Sequence, residues 1–553
     1  MNEENKELIG NLIGGTTPQE VFIVVDPKII RTRPLQIGEY VSIEYPKELI
    51  KEDVLAIINN LELVNLSIPE SLIRSPESYN KLKKLGDLES GERMIASAKI
   101  LGYFDGKKII MPRFTSTPGA NVYRANEQLL NNIFSRGQIN VGHLRAHPNV
   151  QIKLDVNELV RRHTAILAIT GAGKGNTVAV IATEILKLNG CVIIIDPHEE
   201  YPPLRNIYGK KVLVFSAKGD PNKGYFPIKF KLSNFDSEEI LDILEIQANA
   251  TNQRALVINA LEELKNSDWD FKDLKNAIDE YLHIDESKSE KEKKQKLKEI
   301  QHLKNSQYVV KDKIKMVKAI SILAKNEEIP IYDPEFPSLV KKGQISVICL
   351  SGLPKKVQQV IVGRIASKLY EAGVAWRRQI PNKQKLPGPV FMVIEEAHNF
   401  IPQEGTAKSL FPIRRIAAEG RKFGVGLCVV SQRPGKVHSD VLSQCNSQII
   451  LKIINPRDQS QIENSNEAIS SDLLDDLPSL NNGEAVITGP SIIIPSIAKI
   501  YKFKGELGGD DINILKEWQN DEKIENKSGL DEINMDEVQD YTSNANLIRG
   551  KKW

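Results

Sequence analysis

The sequence has few cysteines, and none is arranged as a zinc or redox motif. Only four occur among 553 residues, and no two form a CxxC pair. All four lie within or beside apolar segments typical of core strands: Cys191, Cys349, Cys428 and Cys445. This usage argues against a disulfide framework or a zinc site, and we expect a reducing, cytoplasmic environment.

Long hydrophobic runs and an excess of charge of one sign are also absent. No apolar run approaches the roughly 20 residues that cross a bilayer, and the first ten residues are too polar and acidic for a signal peptide, so we expect no membrane association. The 74 basic and 72 acidic residues leave a net charge of +2. Any contact with nucleic acid must therefore come from a local patch or an assembled pore.

The most informative segment is TAILAITGAGKGNT at residues 164–177. An apolar run of strand length, Ala165–Ile169, leads into a glycine-rich turn, Lys174 and a helix-like stretch, Thr177–Leu188. Glycines let backbone N–H groups point at an anion, the helix N-terminus adds positive potential, and the lysine adds a full charge. The segment predicts a cradle for the phosphates of ATP, formed by Thr170, Gly171, Ala172, Gly173, Lys174, Gly175, Asn176 and Thr177.

Three further apolar runs end in polar residues, at Asp196, at Glu395 with Glu396, and at Gln432. Such Val- and Ile-rich runs are typical of parallel strands covered on both faces, and ligands bind at the carboxyl ends of these strands. We predict that Glu395 holds Mg²⁺, that Glu396 orients and deprotonates the attacking water, and that Gln432 senses the γ-phosphate. Asp196 has two open interpretations, a support for the metal or the water and a cap for the following segment.

The cradle departs from the pattern GxxxxGK[ST] at two positions. Ala168 replaces its first glycine, and Gly175 replaces the hydroxyl residue that ligates Mg²⁺. Thr177 cannot substitute, because side chains two positions apart on a helix point in different directions. Either water fills the coordination site, with Glu395 and Asp196 compensating, or metal affinity and turnover are reduced. We therefore expect serine at position 175 to raise turnover.

The pattern of elements predicts an α/β fold with a mainly parallel sheet, a small N-terminal β-barrel and an α-helical insertion. The predicted zones are the barrel at 1–140, the first part of the ATPase core at 141–234, the insertion at 235–335, the second part of the core at 336–505, and a C-terminal helix with a charged tail at 506–553.

Several unrelated motifs occur in an order that resembles the HerA family, in the HerA/FtsK group of RecA-like motors. They are IGNLIGGTTPQEVFIVV, TGAGKGNT, DPHEEY, VIEEAH, RRIAAEGRKFGVGLCVVSQRP and QIILKIINPRDQ. The resemblance covers nearly the whole chain. It implies a RecA-like core, a HAS-barrel-like N-terminal domain, and Mg²⁺-dependent ATP hydrolysis that drives a homohexameric ring along double-stranded DNA. It also implies a NurA-like nuclease partner in DNA end resection for recombinational repair, and an association with the Mre-Rad resection complex.

Two arginines match positions at which the family reaches a neighbouring subunit's nucleotide. Arg162 lies 12 residues before Lys174, and Arg421 lies 25 residues after Glu396. An arginine supplied from outside the cradle stabilises charge in phosphoryl transfer. The alternative is that both arginines pair with local acids such as Glu419.

Two loops that follow catalytic strands are candidates for DNA contact. Residues 399–413 contain Lys408, and residues 433–440 contain Arg433 and Lys436. A ring turns one lysine per subunit into a circle of positive charge, so we expect binding that tolerates any sequence and weakens with salt.

Two other functional classes remain open. One is a nucleotide-binding scaffold ring that recruits a nuclease and has lost most turnover through Gly175. The other is a secretion or conjugation ATPase, against which the predicted barrel and the lack of a membrane segment count.

Overall fold

The computed structural model describes residues 6–65, 92–217, 219–228, 230–265, 267, 269–284, 289–318, 323–324, 339–466, 469–509 and 514–519. The chain divides into two units at Gly508. The second unit contains one described helix, Ile514–Gln519, and the charged tail predicted beyond it lies outside the described residues. None of the described helices has the length and apolar composition needed to cross a bilayer.

The N-terminal strands form a closed antiparallel sheet. They are β1 (Leu8–Leu12), β2 (Glu20–Val25), β3 (Tyr40–Ile43), β4 (Val54–Asn65), β5 (Glu92–Phe104), β6 (Ile109–Ile110) and β7 (Asn121–Arg124). Strand β2 pairs with both β1 and β5, so the order β2-β1-β7-β3-β4-β5 closes into a barrel of six strands, with β6 added to β5. Alternate residues of β2, beginning with Val21, are buried inside it. The predicted barrel is confirmed.

The remaining strands begin with β8 (Ile139–Leu144), β9 (Gln151–Leu154), β10 (Thr164–Leu167), β11 (Cys191–Asp196), β12 (Val212–Ser216), β13 (Tyr225–Pro227) and β14 (Phe230–Lys231). They continue with β15 (Leu323–Ala324), β16 (Gln344–Cys349), β17 (Val390–Ile394), β18 (Val425–Ser431), β19 (Ser447–Ile450), β20 (Glu484–Thr488) and β21 (Ser496–Ile500). Among the described strands, β14 and β15 pair only with each other, and the other twelve form one sheet.

The large sheet is mainly parallel, as predicted. Its order is β13-β12-β16-β11-β17-β18-β10-β19-β20-β21-β8-β9. Every pair from β13 to β19 is parallel, and the pairs from β19 to β9 are antiparallel. Strands β10, β11, β17 and β18 are buried along their whole length because helices cover both faces. Because these four strands are parallel, their carboxyl ends lie at the same end of the sheet.

Helices of the barrel and core begin with α1 (Pro27–Thr32), α2 (Glu127–Phe134), α3 (Val156–Arg161), α4 (Lys174–Lys187) and α5 (Leu204–Tyr208). The insertion contributes α6 (Ser237–Ile243), α7 (Thr251–Glu263), α8 (Phe271–Tyr281), α9 (Glu290–Ile300) and α10 (Lys304–Lys318). The second part of the core adds α11 (Lys355–Arg378), α12 (Leu410–Phe423), α13 (Ser439–Leu442), α14 (Pro456–Ser465) and α15 (Ser471–Asp476).

Two of the predicted boundaries can be compared with the described residues. The core sheet begins at Ile139, because β8 pairs with β21 and β9 rather than with the barrel. The last helix described in the insertion ends at Lys318, and residues 325–335, which were predicted to complete the insertion, lie outside the described residues. The lysine-rich α9 exposes most of its side chains, in agreement with a solvated face.

Candidate nucleotide site

The glycine-rich turn follows the buried strand β10 and leads directly into α4. Gly171 has φ +79° and Gly173 has φ +106°, a left-handed region that side chains with a Cβ rarely enter. Gly173 is also the residue immediately before α4, whose first N–H groups have no partner within the helix. The turn therefore directs backbone donors and the helix dipole toward the carboxyl edge of the sheet.

Lys174 faces the acidic pair that follows β17. Its Nζ lies 2.6 Å from Glu396 Oε1 and 3.1 Å from Glu395 Oε2. The lysine side chain is 11% exposed and the two carboxylates are 3% and 5% exposed. Burial lowers the pKa of Lys174, but the charges of Glu395 and Glu396 outweigh burial and raise it above its ordinary value. The cradle lysine and the predicted catalytic carboxylates thus share one crevice.

Glu396 is held in an uncommon backbone conformation by a polar network. Its φ of +48° is left-handed, a strain that clusters at functional sites. Gln432 donates to Glu396 Oε2 at 3.3 Å and accepts from the Thr170 hydroxyl, so it links the cradle to the acidic pair. His398 Nδ1 lies 3.3 Å from both Glu396 Oε2 and Ser431 Oγ, and burial lowers its pKa. The structure therefore gives His398 a hydrogen-bonding place beside Glu396.

Asp196, at the end of β11, caps the turn that follows. Its Oδ1 accepts from the N–H groups of His198 at 3.2 Å and Glu200 at 3.1 Å, and its Oδ2 accepts from Tyr201 N–H at 2.9 Å. Burial raises its pKa to about 6 despite these bonds. Of the two interpretations of this residue, the hydrogen bonds correspond to the cap, because both oxygens are engaged by backbone donors. The Tyr201 hydroxyl in turn donates to Glu395 Oε1.

Two residues predicted to line the cradle have their side chains bound elsewhere. Asn176 donates to the Tyr501 carbonyl at 2.9 Å and accepts from Phe503 N–H at 2.7 Å. Thr177 is buried, and both its hydroxyl and its backbone N–H donate to the Gly173 carbonyl at 3.0 Å. Thr177 points away from the cradle, as expected from its spacing. Both side chains thus have partners within the chain, and their place in the phosphate cradle stays a prediction.

Glu200 lies beside the cradle but was not among the predicted site residues. A Cβ built on Gly175 would lie 2.6 Å from Glu200 Oε2, so this carboxylate occupies the space beside the glycine. Burial and the charge of Glu395 raise the pKa of Glu200 to about 7, although Lys174 opposes the shift. The available signal was the second glutamate of DPHEEY, four positions after Asp196.

The chain is similar to known proteins over most of its length. Residues 139–369 match the family model described as the central domain of helicase HerA, and residues 9–106 match the HAS barrel domain. The DNA double-strand break repair helicase HerA of Sulfurisphaera tokodaii is 32% identical over 93% of this chain and 96% of its own length. The protein of that name from Pyrococcus furiosus is 34% identical over 78% of this chain and 83% of its own length. The chain belongs to the HerA family.

The resemblance read from the motifs is thereby confirmed. Among solved structures, VirB4 of Thermoanaerobacter pseudethanolicus is 16% identical, covers 67% of this chain and 98% of its own, and aligns with a TM-score of 0.45.

The two arginines that were predicted to reach a neighbouring subunit lie near the amino ends of the parallel strands, and the cradle lies at their carboxyl ends. Arg162 precedes β10 and pairs with Glu158, whose Oε2 lies 2.6 Å from its Nε. Arg421 is in the last turn of α12, before β18, and lines a cavity of about 540 Å³. Within the parts of the chain that are described, Arg421 forms no ion pair, while Glu419 accepts from the Tyr370 hydroxyl. A strand rises about 3.3 Å per residue, so the lengths of β10 and β18 keep Arg162 and Arg421 away from Lys174 of their own chain.

The candidate DNA-contacting side chains of this HerA chain differ in their availability. Lys408 is 37% exposed and lies 3.8 Å from Asp242 of the insertion. Arg433 and Lys436 are exposed on the turn that follows β18. Lys408 is thus partly neutralised by a neighbour, whereas no ion pair is seen for Arg433 or Lys436 among the described residues.

The donor set fits Mg²⁺ only together with a nucleotide. The described residues contain no cluster of three or more side chains able to hold a metal by themselves. Mg²⁺ commonly takes one or two carboxylates and completes its shell with phosphate oxygens and water. The carboxylates of Glu395 and Glu200 beside the cradle meet that requirement, and Glu395 is buried.

Proposed function

We propose that this chain is an ATP-driven motor that moves along double-stranded DNA as a hexameric ring and works with a NurA-like nuclease in DNA end resection. One observation carries the proposal, the approach of Lys174 Nζ to Glu395 and Glu396 at 3.1 and 2.6 Å beside a glycine-rich turn. Two HerA relatives are named as DNA double-strand break repair helicases, which supports the substrate.

The residues divide the work of hydrolysis by position. Backbone N–H groups of the turn and Lys174 hold the phosphates and neutralise their charge. Glu396, aligned by Gln432, orients a water and accepts its proton. Arg421 of one subunit approaches the neighbour's γ-phosphate, since it lies at the opposite sheet edge from its own cradle. Mg²⁺, when bound with the nucleotide, supplies further charge neutralisation beside Glu395.

Lys174 also connects ligand binding to the acidic pair. In the structure its ammonium compensates two buried carboxylates, and a phosphate competes for the same group. A bound nucleotide that attracts Lys174 removes the positive charge from beside Glu396. Nucleotide binding thereby changes the electrostatic surroundings of the proposed catalytic base.

A second function is favoured by Gly175, which lacks the hydroxyl expected by the P-loop pattern. With weak turnover the chain would serve as a nucleotide-bound scaffold ring that recruits a nuclease. Steady-state ATP hydrolysis with and without linear duplex DNA separates the two. Stimulation by DNA supports the motor, and a flat, low rate with tight nucleotide binding supports the scaffold.

The matched variants are Glu396→Gln and Glu463→Gln. The first removes the proposed base and is expected to lower turnover about 10²-fold or more while nucleotide still binds. The second changes an exposed carboxylate on α14 and is expected to leave turnover unchanged. Equal rates for Glu396→Gln and the unmodified chain would contradict the motor.

Light scattering in the presence of nucleotide tests the hexamer, and co-purification with a NurA-like nuclease tests the partner.

A further inference from the structure

Glu200 and the missing side chain at position 175 occupy the same space. The Glu200 Oε2 atom lies 2.6 Å from the position of a Cβ on Gly175, closer than real Cβ contacts allow. A serine or threonine at 175 could enter only if this carboxylate moved. The carboxylate therefore lies beside the position at which the P-loop pattern has a hydroxyl residue.

The backbone on both sides of Glu200 is fixed. Its N–H donates to Asp196 Oδ1 at 3.1 Å, and its carbonyl accepts from Gly508 N–H at 2.7 Å. Gly508 allows this approach because a Cβ there would lie 2.2 Å from the Glu199 carbonyl oxygen. The next residue, Tyr201, is buried and hydrogen-bonded to Glu395. Asp196 is thus a positioning residue that acts through Glu200 and Tyr201.

The carboxylates around Glu200 carry more negative charge than Lys174 alone can balance. Glu200 is close enough to Glu395, Glu396 and Asp196 for their charges to interact, and Lys174 is the cation that faces it. Within the described residues the Glu200 carboxylate accepts no hydrogen bond, unlike the oxygens of the other three acids. A carboxylate with free oxygens next to a phosphate cradle is a ligand of the kind that Mg²⁺ takes.

We propose that Glu200 supplies the magnesium ligand that Gly175 cannot, in a Mg²⁺–nucleotide complex held between the cradle and Glu395. The inference rests on the proposed binding of ATP at Lys174. It assigns the metal contact to a residue that belongs neither to the P-loop nor to the pair Glu395-Glu396. The Glu200 carboxylate would replace the hydroxyl that position 175 lacks.

The test measures metal binding rather than hydrolysis. Mn²⁺, a paramagnetic substitute for Mg²⁺, is titrated into full-length protein saturated with the non-hydrolysable analogue adenylyl imidodiphosphate, and free Mn²⁺ is read by electron paramagnetic resonance. Glu200→Gln should weaken Mn²⁺ binding about tenfold, the scale of losing a metal-supporting group. The control Glu199→Gln changes the neighbouring exposed acid, which bonds to Ser351, and should bind Mn²⁺ as the unmodified chain does.

Rescue separates a metal ligand from a structural role. Gly175→Ser combined with Glu200→Gln should recover most of the Mn²⁺ affinity, because the neutral amide is not attracted to Lys174 or the metal and can turn aside, which leaves the serine hydroxyl free to reach the metal. Gly175→Ser alone should give little gain, since its side chain displaces Glu200 from the same space. The structure thus changes the expectation from the sequence that serine at 175 raises turnover.

Two results overturn the inference, and they are distinguishable from failure of the proposed function. Unchanged Mn²⁺ affinity in Glu200→Gln excludes Glu200 as a ligand. Weaker analogue binding in EDTA for Glu200→Gln, with an unchanged melting temperature, would show that Glu200 shapes the nucleotide pocket instead. If the unmodified chain binds no analogue in EDTA or with Mn²⁺, the proposed ATPase itself is wrong, and the metal assignment fails with it.

Discussion

Lys174 Nζ and Glu396 Oε1 are 2.6 Å apart, so the lysine that is proposed to hold a phosphate also neutralises the proposed base. Removing it leaves two buried carboxylates without their cation. Lys174→Ala should therefore abolish nucleotide binding and lower the free energy of unfolding by about 3 kcal/mol, the cost of breaking a buried pair.

Adding Glu396→Gln to Lys174→Ala should restore much of the lost stability without restoring nucleotide binding. The control is Lys187→Ala on the same helix, whose side chain is 64% exposed and whose loss should change stability by less than ~0.5 kcal/mol. Thermal melting and nucleotide titration measure both effects. Equal melting temperatures for Lys174→Ala and Lys187→Ala would show that the buried pair contributes nothing.

Arg421 lies at the sheet edge opposite Lys174, and a trans-acting role predicts complementation between defective subunits. Rings made only of Arg421→Ala or only of Lys174→Ala should both be inactive. Mixed at equal amounts, the two variants should regain about a quarter of the unmodified rate, because one site in four then combines an intact lysine with an intact arginine from its neighbour. Mixtures no more active than the separate variants would assign Arg421 a role within its own subunit.

The lengths of apolar runs in the sequence predicted those strands whose formation depends on their own residues. Strand β2 forms from the apolar run EVFIVV, and its alternate side chains are buried in the barrel. The runs before Glu395 and Gln432 were identified because strands buried on both faces leave continuous apolar stretches. By contrast, β1 contains Gly10 and Asn11 and is a strand because β2 and β7 pair with it, which its own residues do not encode.

The sequence predicted the site residues that lie directly at the ends of strands. It did not predict the contacts that depend on how the chain folds in the turn after a strand. The meeting of Lys174 with the acidic pair follows from parallel strands ending at one edge. Three N–H groups converge on Asp196 only through the turn after β11, so its capping role was one of two interpretations. Glu200 was missed because its relation to Gly175 is a contact in space, 25 residues apart in the sequence.

Gln432 bridges the Thr170 hydroxyl and Glu396, and it should therefore affect chemistry more than binding. Gln432→Ala removes the bond that aligns the proposed base, and misplacement on this scale can lower kcat about 10²-fold. The nucleotide Kd should stay within about threefold, because Lys174 and the backbone donors remain. Turnover and nucleotide titration distinguish the two effects. A change in Kd with unchanged kcat would make Gln432 a binding residue.

Lys436 is exposed on the turn that follows β18, whereas Lys408 lies 3.8 Å from Asp242. If the turn after β18 contacts the DNA backbone, Lys436→Ala should reduce the slope of log affinity against log salt by about 1 for each phosphate that is no longer neutralised. Lys408→Ala should change it less, because the insertion already balances that charge. Binding of duplex DNA at several salt concentrations gives both slopes. A slope unaltered by Lys436→Ala removes this turn from the DNA path.

His163 connects the fold's stability to pH. It is 2% exposed with φ +58°, and its Nδ1 accepts a hydrogen bond from Leu427 N–H at 3.0 Å. Burial lowers its pKa to about 4, so between pH 4 and its usual value near 6.5 the unfolded chain is protonated at this residue and the folded chain is not. Folding stability should therefore fall as the pH is lowered through this window, by about 3 kcal/mol for this group.

The measurement is the melting temperature between pH 7 and pH 4.5 for the unmodified chain and for His163→Asn. Asparagine tolerates left-handed backbone and keeps an acceptor for Leu427, but it does not titrate, so the variant should lose less stability on acidification. The remaining slope is expected to include His147, whose pKa burial also lowers to about 4. His302→Asn, an exposed change in the insertion, should leave the slope as it is. If His163→Asn melts with the same pH dependence as the unmodified chain, the buried imidazole is not the group that titrates.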